Sequence, residues 1–169
     1  MSSMEIIEGD LWSEVGKADL ILFTSNADLN SQGDLVMGKG AAAEAKQRWP
    51  GLATALALAT GGRREYGLAW ARGVETGSKT KLGCLQVKRA WRDPADLKLI
   101  DWSAGKLAAA LAKWLSNPEH AGREIRVALN YPGIGRGTGG LREEDVQPVL
   151  EKHFGGLPVV VYKYPSRPQ

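Results

Sequence analysis

The stretch ADLILFTSNADLNSQGDLVMGKGAAAEAKQRWP, Ala18 to Pro50, holds a whole strand–loop–helix step. Leu20–Phe23 is apolar at every position. A run without polar alternation is how a strand covered on both faces reads, as in a parallel sheet between helices. Ser25 and Asn26 end it. Further on, Gly38-Lys39-Gly40 precedes three alanines, and the pattern predicts a helix from Ala41 to about Trp49, stopped by Pro50. Glycines ahead of an alanine-rich helix leave the first-turn amides open and place the positive end of the helix dipole there. The join is therefore an anion site, most often for phosphate. It is not a Walker A loop, because the order G-x-x-x-x-G-K-[ST] is absent.

Outward from this step the alternation continues. Glu5–Glu8 predicts a short strand stopped by Gly9. GLATALALAT reads as helix up to Gly61-Gly62. EYGLAWARGV and KLGCLQVKR read as two strands around the turn ETGSKT. DPADLKLIDWSAGKLAAALAKWLS is a long helix, with Asp93 expected at the N-cap and Pro94 at the first helical position. EIRVALNYP is an apolar strand that runs into GIGRGTGG. REEDVQPVLEKHF is a helix, and LPVVVYKYP is the last strand. Strand–helix alternation of this kind implies one α/β domain over residues 1–169 with a mostly parallel sheet.

Composition narrows the class. The chain has 169 residues, 43% hydrophobic and 24% charged, as in an ordinary globular protein. The lone Cys84 excludes an internal disulfide and sits in an apolar strand, where it reads as core. Met1–Asp10 lacks the basic and apolar regions of a secretory leader, and no apolar run approaches the roughly 20 residues that span a membrane. A cytoplasmic monomer without membrane contact is expected. The net charge of +3 and pI near 9.0 lean toward anionic partners. No His, Cys or Asp spacing suggests a metal, and no cofactor is implied. His120 is expected to be solvated and His153 to lie at a helix C-terminus; Trp49, Trp102 and Trp114 read as helix packing.

In open parallel sheets ligands bind beyond the carboxyl ends of the strands. Polar, charged and glycine residues follow the strands here: Gly9-Asp10, Asn26 with the GKG join, Lys88-Arg89, the GIGRGTGG loop, and Lys163-Tyr164. The loop's Gly133, Gly135, Gly137, Gly139 and Gly140 let successive amides converge on one oxygen cluster, with Arg136 and Thr138 between them. Two anion loops on one edge suit a diphosphate. Tyr162 or Tyr164 could stack on a base; strand packing accounts equally for Tyr162.

These segments in this order resemble the macrodomain family, which binds ADP-ribose. GDL, Gly9 to Leu11, looks like the family's GD[IV]. DLILFTSNADL lines up on D-A-I-V-N-A-A-N, with Phe23 where the family has its earlier asparagine. MGKGAAAEAKQRWPGL is similar to M-G-K-G-I-A-x-x-F-K-x-x-F-P, and YPGIGRGTGGL to P-R-I-G-C-G-x-G-G-L. The resemblance implies a three-layer α/β/α sandwich with a mixed, mostly parallel sheet. It implies that Asp10, with Leu11, meets the adenine and that Asn26 holds the distal ribose. Met37, Gly38, Lys39 and Gly40 on one side, and Gly135, Arg136, Gly137, Thr138 and Gly139 on the other, would hold the diphosphate.

The M-G-K-G form resembles one branch, that of terminal ADP-ribose protein glycohydrolases and DNA ADP-ribosyl glycohydrolase antitoxins. VKRAWRDPADL, Val87 to Leu97, is similar to the antitoxins' T-K-R-H-W-R-x-P-S-x-L, with Val87 and Ala90 replacing Thr and His. Lys88 matches the catalytic lysine. Gly139 stands where protein-directed members carry an aspartate, as it does in DNA-directed ones. An amine can attack the anomeric carbon of linked ADP-ribose and form a Schiff base, provided that it is neutral. A free lysine, with a pKa near 10.4, is almost wholly protonated at neutral pH. Burial, Arg89 or Arg92 would lower that value and a bound diphosphate would raise it. The implied activity is removal of ADP-ribosyl groups from DNA or protein. The basic group Lys79, Lys81, Lys88, Arg89 and Arg92 favours nucleic acid. A non-catalytic ADP-ribose reader and an ADP-ribose 1″-phosphate phosphatase are the alternatives, and Lys88 is also read as a strand-end cation that pairs with phosphate.

Overall fold

Side-chain parity along the strands divides the interior into two cores. A computed structural model describes residues 4–135 and 139–164. Strands β1 (Glu5–Glu8), β2 (Leu20–Ser25), β3 (Leu68–Trp70), β4 (Lys81–Gln86), β5 (Val127–Asn130) and β6 (Val159–Lys163) form one sheet, ordered β1-β6-β5-β2-β4-β3. Ile21, Phe23, Leu82, Cys84, Ala128 and Val160 face one core, shared with α1 (Gly40–Arg48) and α2 (Leu52–Thr60). Leu22, Leu85, Val127, Leu129, Val159 and Val161 face the other, shared with α3 (Leu97–Ser116) and α4 (Glu143–Phe154). The result is a three-layer α/β/α sandwich. The strands are apolar on both faces because both faces are covered.

All neighbouring strands are parallel except β3, which runs antiparallel to β4. The segment joining β3 to β4 carries no helix. A short connection can only reverse the chain, whereas parallel neighbours need a crossover. Gly83 fits this edge: a Cβ there would sit 2.8 Å from both the Ala69 carbonyl oxygen and the Trp70 ring. Gly61 ends α2 in the left-handed region, φ +62°, where a side chain would be strained.

Three local expectations change. The N-cap of α3 is Asp96, not Asp93: its carboxylate accepts from the Lys98 amide at 3.0 Å and the Leu99 amide at 3.4 Å. The preceding residues are held off the helix. The Ala95 amide donates to the Gly139 carbonyl and the Asp96 amide to the Val87 carbonyl, and a residue before proline, as Asp93 is, disfavours helical backbone. Trp102 is not packed away; it is 44% exposed, with the Lys106 ammonium 4.5 Å from its ring centroid. His120 is not free in solvent. Its ring stacks on Trp114 at 3.8 Å and its Nδ1 pairs with the Trp114 carbonyl at 3.0 Å.

Candidate functional site

The register of β2 against β4 places Ser25 opposite Gln86. The two chains leave the sheet still paired: the Val87 amide donates to the Ser25 carbonyl and the Ala27 amide to the Arg89 carbonyl. Asn26 and Lys88 therefore emerge side by side at the carboxyl edge. Asn26 is nearly buried. Its Oδ1 accepts from the Asp28 amide at 2.9 Å and its Nδ2 donates to the Val36 carbonyl at 3.2 Å, which leaves one amide proton unassigned. The Tyr66 hydroxyl donates to the Asn26 carbonyl at 2.6 Å from below, beside Ser25 and Cys84. Burial pushes the Cys84 thiol up to about 11, so it is an inert core group.

Lys39, Lys88 and both glycine segments line one cleft of ≈ 690 Å³, with Lys163 at its β6 end. Met37, Gly38, Lys39 and Gly40 border it on one side, followed by Ala41 and Ala42 of α1. Lys39 is the N-cap, extended at φ −143° and without a side-chain cap bond, and Gly40 has φ +60°. The first-turn amides of α1 are therefore open toward the cleft, and the left-handed Gly40 turns the chain into the helix. Gly135 and Gly139 border the other side. The Gly139 amide donates to the Gly135 carbonyl at 3.1 Å, and a Cβ on Gly139 would lie 2.4 Å from the Gly135 nitrogen. The backbone of Gly133 and Gly135 fills the space beside Gly139, so no side chain, an aspartate included, fits there. Arg136, Gly137 and Thr138 lie outside the described residues.

The end of the cleft near β6 is built differently. Tyr162 lines it, 7% exposed, with its hydroxyl donating to Glu14. Glu14 is itself buried and doubly bonded to Arg126, at 2.7 and 2.8 Å; that guanidinium, together with the Tyr162 hydroxyl, holds its carboxyl below the ordinary value against its burial. Tyr164 also lines the cleft and donates to Glu44. Asp10 is exposed and caps the 3₁₀ turn Leu11–Glu14, accepting from the Trp12 amide at 3.0 Å. Its charge acts on Tyr164, which puts it by the cleft mouth rather than among the lining side chains. The Leu11 side chain is wholly buried in the core and does not reach the cleft.

Lys88 is half-buried and has no ion pair among the described residues. Burial lowers its pKa below the ordinary lysine range; the Lys39 cation adds to this and Asp93 opposes it. Neither Arg89 nor Arg92 is among the groups that set this shift; the Arg89 guanidinium is held by Glu65 and, at 2.9 Å, by Asp96. The basic group read from the sequence also comes apart. Lys81 begins β4 opposite Leu20, and Lys79 lies 3.7 Å from Asp19 at the far edge of the sheet. Of that group Lys88 lines the cleft, joined there by Lys39, and Arg92 sits beside Trp91, which also lines it. Asn130, Tyr131 and Ile134 also line the cleft and were not legible as site residues. Asn130 is pinned to Thr24, its Oδ1 accepting from the amide at 2.9 Å; its only sequence signal was its place at a strand end. Among the described residues no three His, Cys, Asp or Glu side chains gather as a metal would require. No described helix is long and apolar enough to cross a membrane.

No family model matches the chain. It is 31% identical over 150 residues to proteins named DNA ADP-ribosyl glycohydrolase from Mycobacterium bovis (strain BCG / Pasteur 1173P2) and Mycobacterium tuberculosis (strain ATCC 25618 / H37Rv). The match covers 86% of this chain and 39% of each relative, so the chain spans about two fifths of their length. Among solved structures, the macrodomain of Mycobacterium tuberculosis DarG superposes with TM-score 0.66 at 25% identity, over 98% of this chain and 100% of that one. The macrodomain of Thermus aquaticus DarG gives TM-score 0.71 at 19% identity, with 98% and 100% covered. Thermosipho africanus DarTG in complex with ADP-ribose gives 0.71 at 21% identity, over 100% of this chain and 44% of that one. Strand order, the paired glycine segments and these structures show the macrodomain fold, and the proteins the chain resembles are DNA ADP-ribosyl glycohydrolases and DarG macrodomains.

Proposed function

We propose that this chain binds ADP-ribose along the strand-end cleft and removes ADP-ribosyl groups from DNA, with the Lys88 amine as nucleophile. The observation that carries the reading is the convergence of Asn26, Lys88 and two open-amide glycine segments on one cleft. The relatives named DNA ADP-ribosyl glycohydrolase, and a structural neighbour solved with ADP-ribose, support the substrate. In this reading Asn26 holds the distal ribose, and Asp10 meets the adenine near Tyr164. The α1 amides with Met37–Gly40, and the loop bearing Gly135 and Gly139, hold the diphosphate; Arg136, Gly137 and Thr138 belong to the same assignment. Tyr162 forms the wall beneath the adenosine. Residues 1–169 act as one macrodomain and as a monomer, and a cytoplasmic setting agrees with a nucleic-acid substrate.

The chemistry follows from a partly desolvated amine. Neutral Nζ attacks C1″ of the linked ribose. The bond from C1″ to the base breaks, and its electron pair leaves with the base, which takes up a proton. The ribose ring opens to a Schiff base on Lys88. Water then adds at C1″, the lysine leaves, and free ADP-ribose results. One water is consumed, and no oxidant or reductant is involved.

Incubation with an ADP-ribosylated oligonucleotide, an ADP-ribosylated protein and ADP-ribose 1″-phosphate tests this. Wild-type protein is expected to release ADP-ribose from the oligonucleotide. Lys88→Ala is expected to lose at least about a hundredfold of that rate, on the scale of removing a covalent catalyst, while still binding ADP-ribose in calorimetry. Full turnover in the variant would remove the lysine role. ADP-ribose binding without any turnover would make the chain a reader, and phosphate release alone would make it a phosphatase.

A further inference from the structure

We propose that Trp91 and Arg92 form a stacking rim that receives a nucleobase of a single-stranded nucleic acid on the leaving-group side of the cleft. The inference rests on the reading of Lys88 as the reacting amine.

Four aromatic side chains line the cleft. Tyr131 and Tyr162 are buried, at 4% and 7% exposure, whereas Trp91 and Tyr164 are open, at 44% and 47%. The two open rings stand apart. Tyr164 follows β6 and Trp91 follows β4, and β5 and β2 lie between them in the sheet. Three strand spacings make that about 14 Å. Tyr164 is at the end occupied by Glu44 and Asp10. Trp91 is three residues beyond Lys88, where a group attached to C1″ would leave.

Trp91 contributes little to the core, yet it is held firmly. Its amide donates to Asp28 Oδ2 at 2.8 Å. Asp28 is in turn fixed by Arg64 at 2.8 Å, and its own amide donates to the Asn26 side chain at 2.9 Å. The backbone that carries the exposed indole is therefore coupled to the proposed ribose-holding residue. An aromatic kept open on a fixed backbone is what a stacking surface requires, because little ordering is left to lose on binding.

The charge beside it is of the right kind. The Arg92 guanidinium lies 5.5 Å from the Trp91 ring centroid. Arg89 and Arg64 are both held in ion pairs, whereas Arg92 has no carboxylate at ion-pair distance among the described residues. A guanidinium with no acidic partner next to an open indole offers a phosphate and a base face together. Stacking accepts any base, and a target base reaches an amine inside a cleft only once it is out of a duplex stack. This points to single-stranded nucleic acid.

The test compares wild type with Trp91→Ala, Trp91→Phe and Arg92→Ala, after thermal melts confirm that each variant folds. Trp91→Ala is expected to lower kcat/KM on an ADP-ribosylated single-stranded oligonucleotide about tenfold, the lower to middle range for one stacked base, with ADP-ribose affinity by calorimetry within about twofold of wild type. Trp91→Phe should recover most of the loss. Arg92→Ala should flatten the slope of log(kcat/KM) against log[salt] by about 0.7, one phosphate contact on a single strand. Unchanged kcat/KM in Trp91→Ala overturns the rim. An equal loss of ADP-ribose affinity also overturns it, since the indole would then belong to the nucleotide pocket. Anisotropy with a plain fluorescent oligonucleotide and saturating ADP-ribose separates the two readings. Trp91-dependent binding without turnover keeps the rim and removes the enzyme, and Trp91-independent binding removes the rim.

Discussion

Lys88 shows how one residue's chemistry is set by neighbours distant in sequence. Its amine is made easier to deprotonate first by burial and then by the Lys39 cation across the glycine segment, while Asp93 works the other way. The neutral form is the nucleophile, so removing a neighbouring cation stabilises the ammonium and shifts activity to higher pH. Lys39→Met is expected to move the rising limb of the kcat/KM–pH profile upward, whereas Lys39→Arg keeps it in place. The profile of kcat/KM is the one to measure, because it reports the free enzyme, before the diphosphate alters the balance. Gly139 is the counterpart in shape: its missing side chain is required, because the Gly135 backbone occupies the space.

At the scale of elements, α3 is set in place by one carboxylate. Asp96 caps the helix through two amides and at the same time holds Arg89 at 2.9 Å, which ties the helix start to the strand end that carries Lys88. Asp96→Ala is expected to destabilise the fold by about 1–2 kcal/mol, the range for a lost N-cap, read as a lower midpoint in urea. It should also lower turnover through displacement of the segment Lys88–Trp91. Asp93→Ala, by contrast, should leave the midpoint within about 0.5 kcal/mol, as expected for a surface change away from a cap. The helix was legible from its apolar spacing, but its first residue was not. The sequence pattern pointed to Asp93 with Pro94 after it, and backbone bonds from Ala95 and Asp96 to distant carbonyls move the start to Asp96.

Across the whole molecule, Glu14 links the Leu11–Glu14 turn to Arg126, just ahead of β5, and to Tyr162 in β6. Its carboxyl titrates below the ordinary value. A depressed carboxyl contributes stability that is complete above its unfolded pKa and is lost as pH falls through the folded one. Glu14→Ala is expected to cost about 2 kcal/mol near neutrality, less than a fully buried pair because Arg126 keeps part of its solvent contact. The difference from wild type should shrink as the pH is taken below about 4, near the ordinary glutamate value. Urea midpoints measured across that range check both statements.

The sequence by itself determined the element order, the doubly covered strands and the edge on which the ligand groups gather. Each is written in short-range patterns: uninterrupted apolar runs such as Leu20–Phe23, glycines before or after helices, and polar residues at strand ends. The tertiary structure decided which charges meet and which stay unpaired. Arg89 is neutralised by Glu65, Lys79 and Lys81 fall at the opposite edge from Lys88, Leu11 turns into the core, and Trp91 is clamped by Asp28 and left open. Contacts such as Trp91 with Asp28 span 63 residues and are created by the register of β2 on β4. Register is a property of the assembled sheet, and local pattern does not encode which loop residues it brings together.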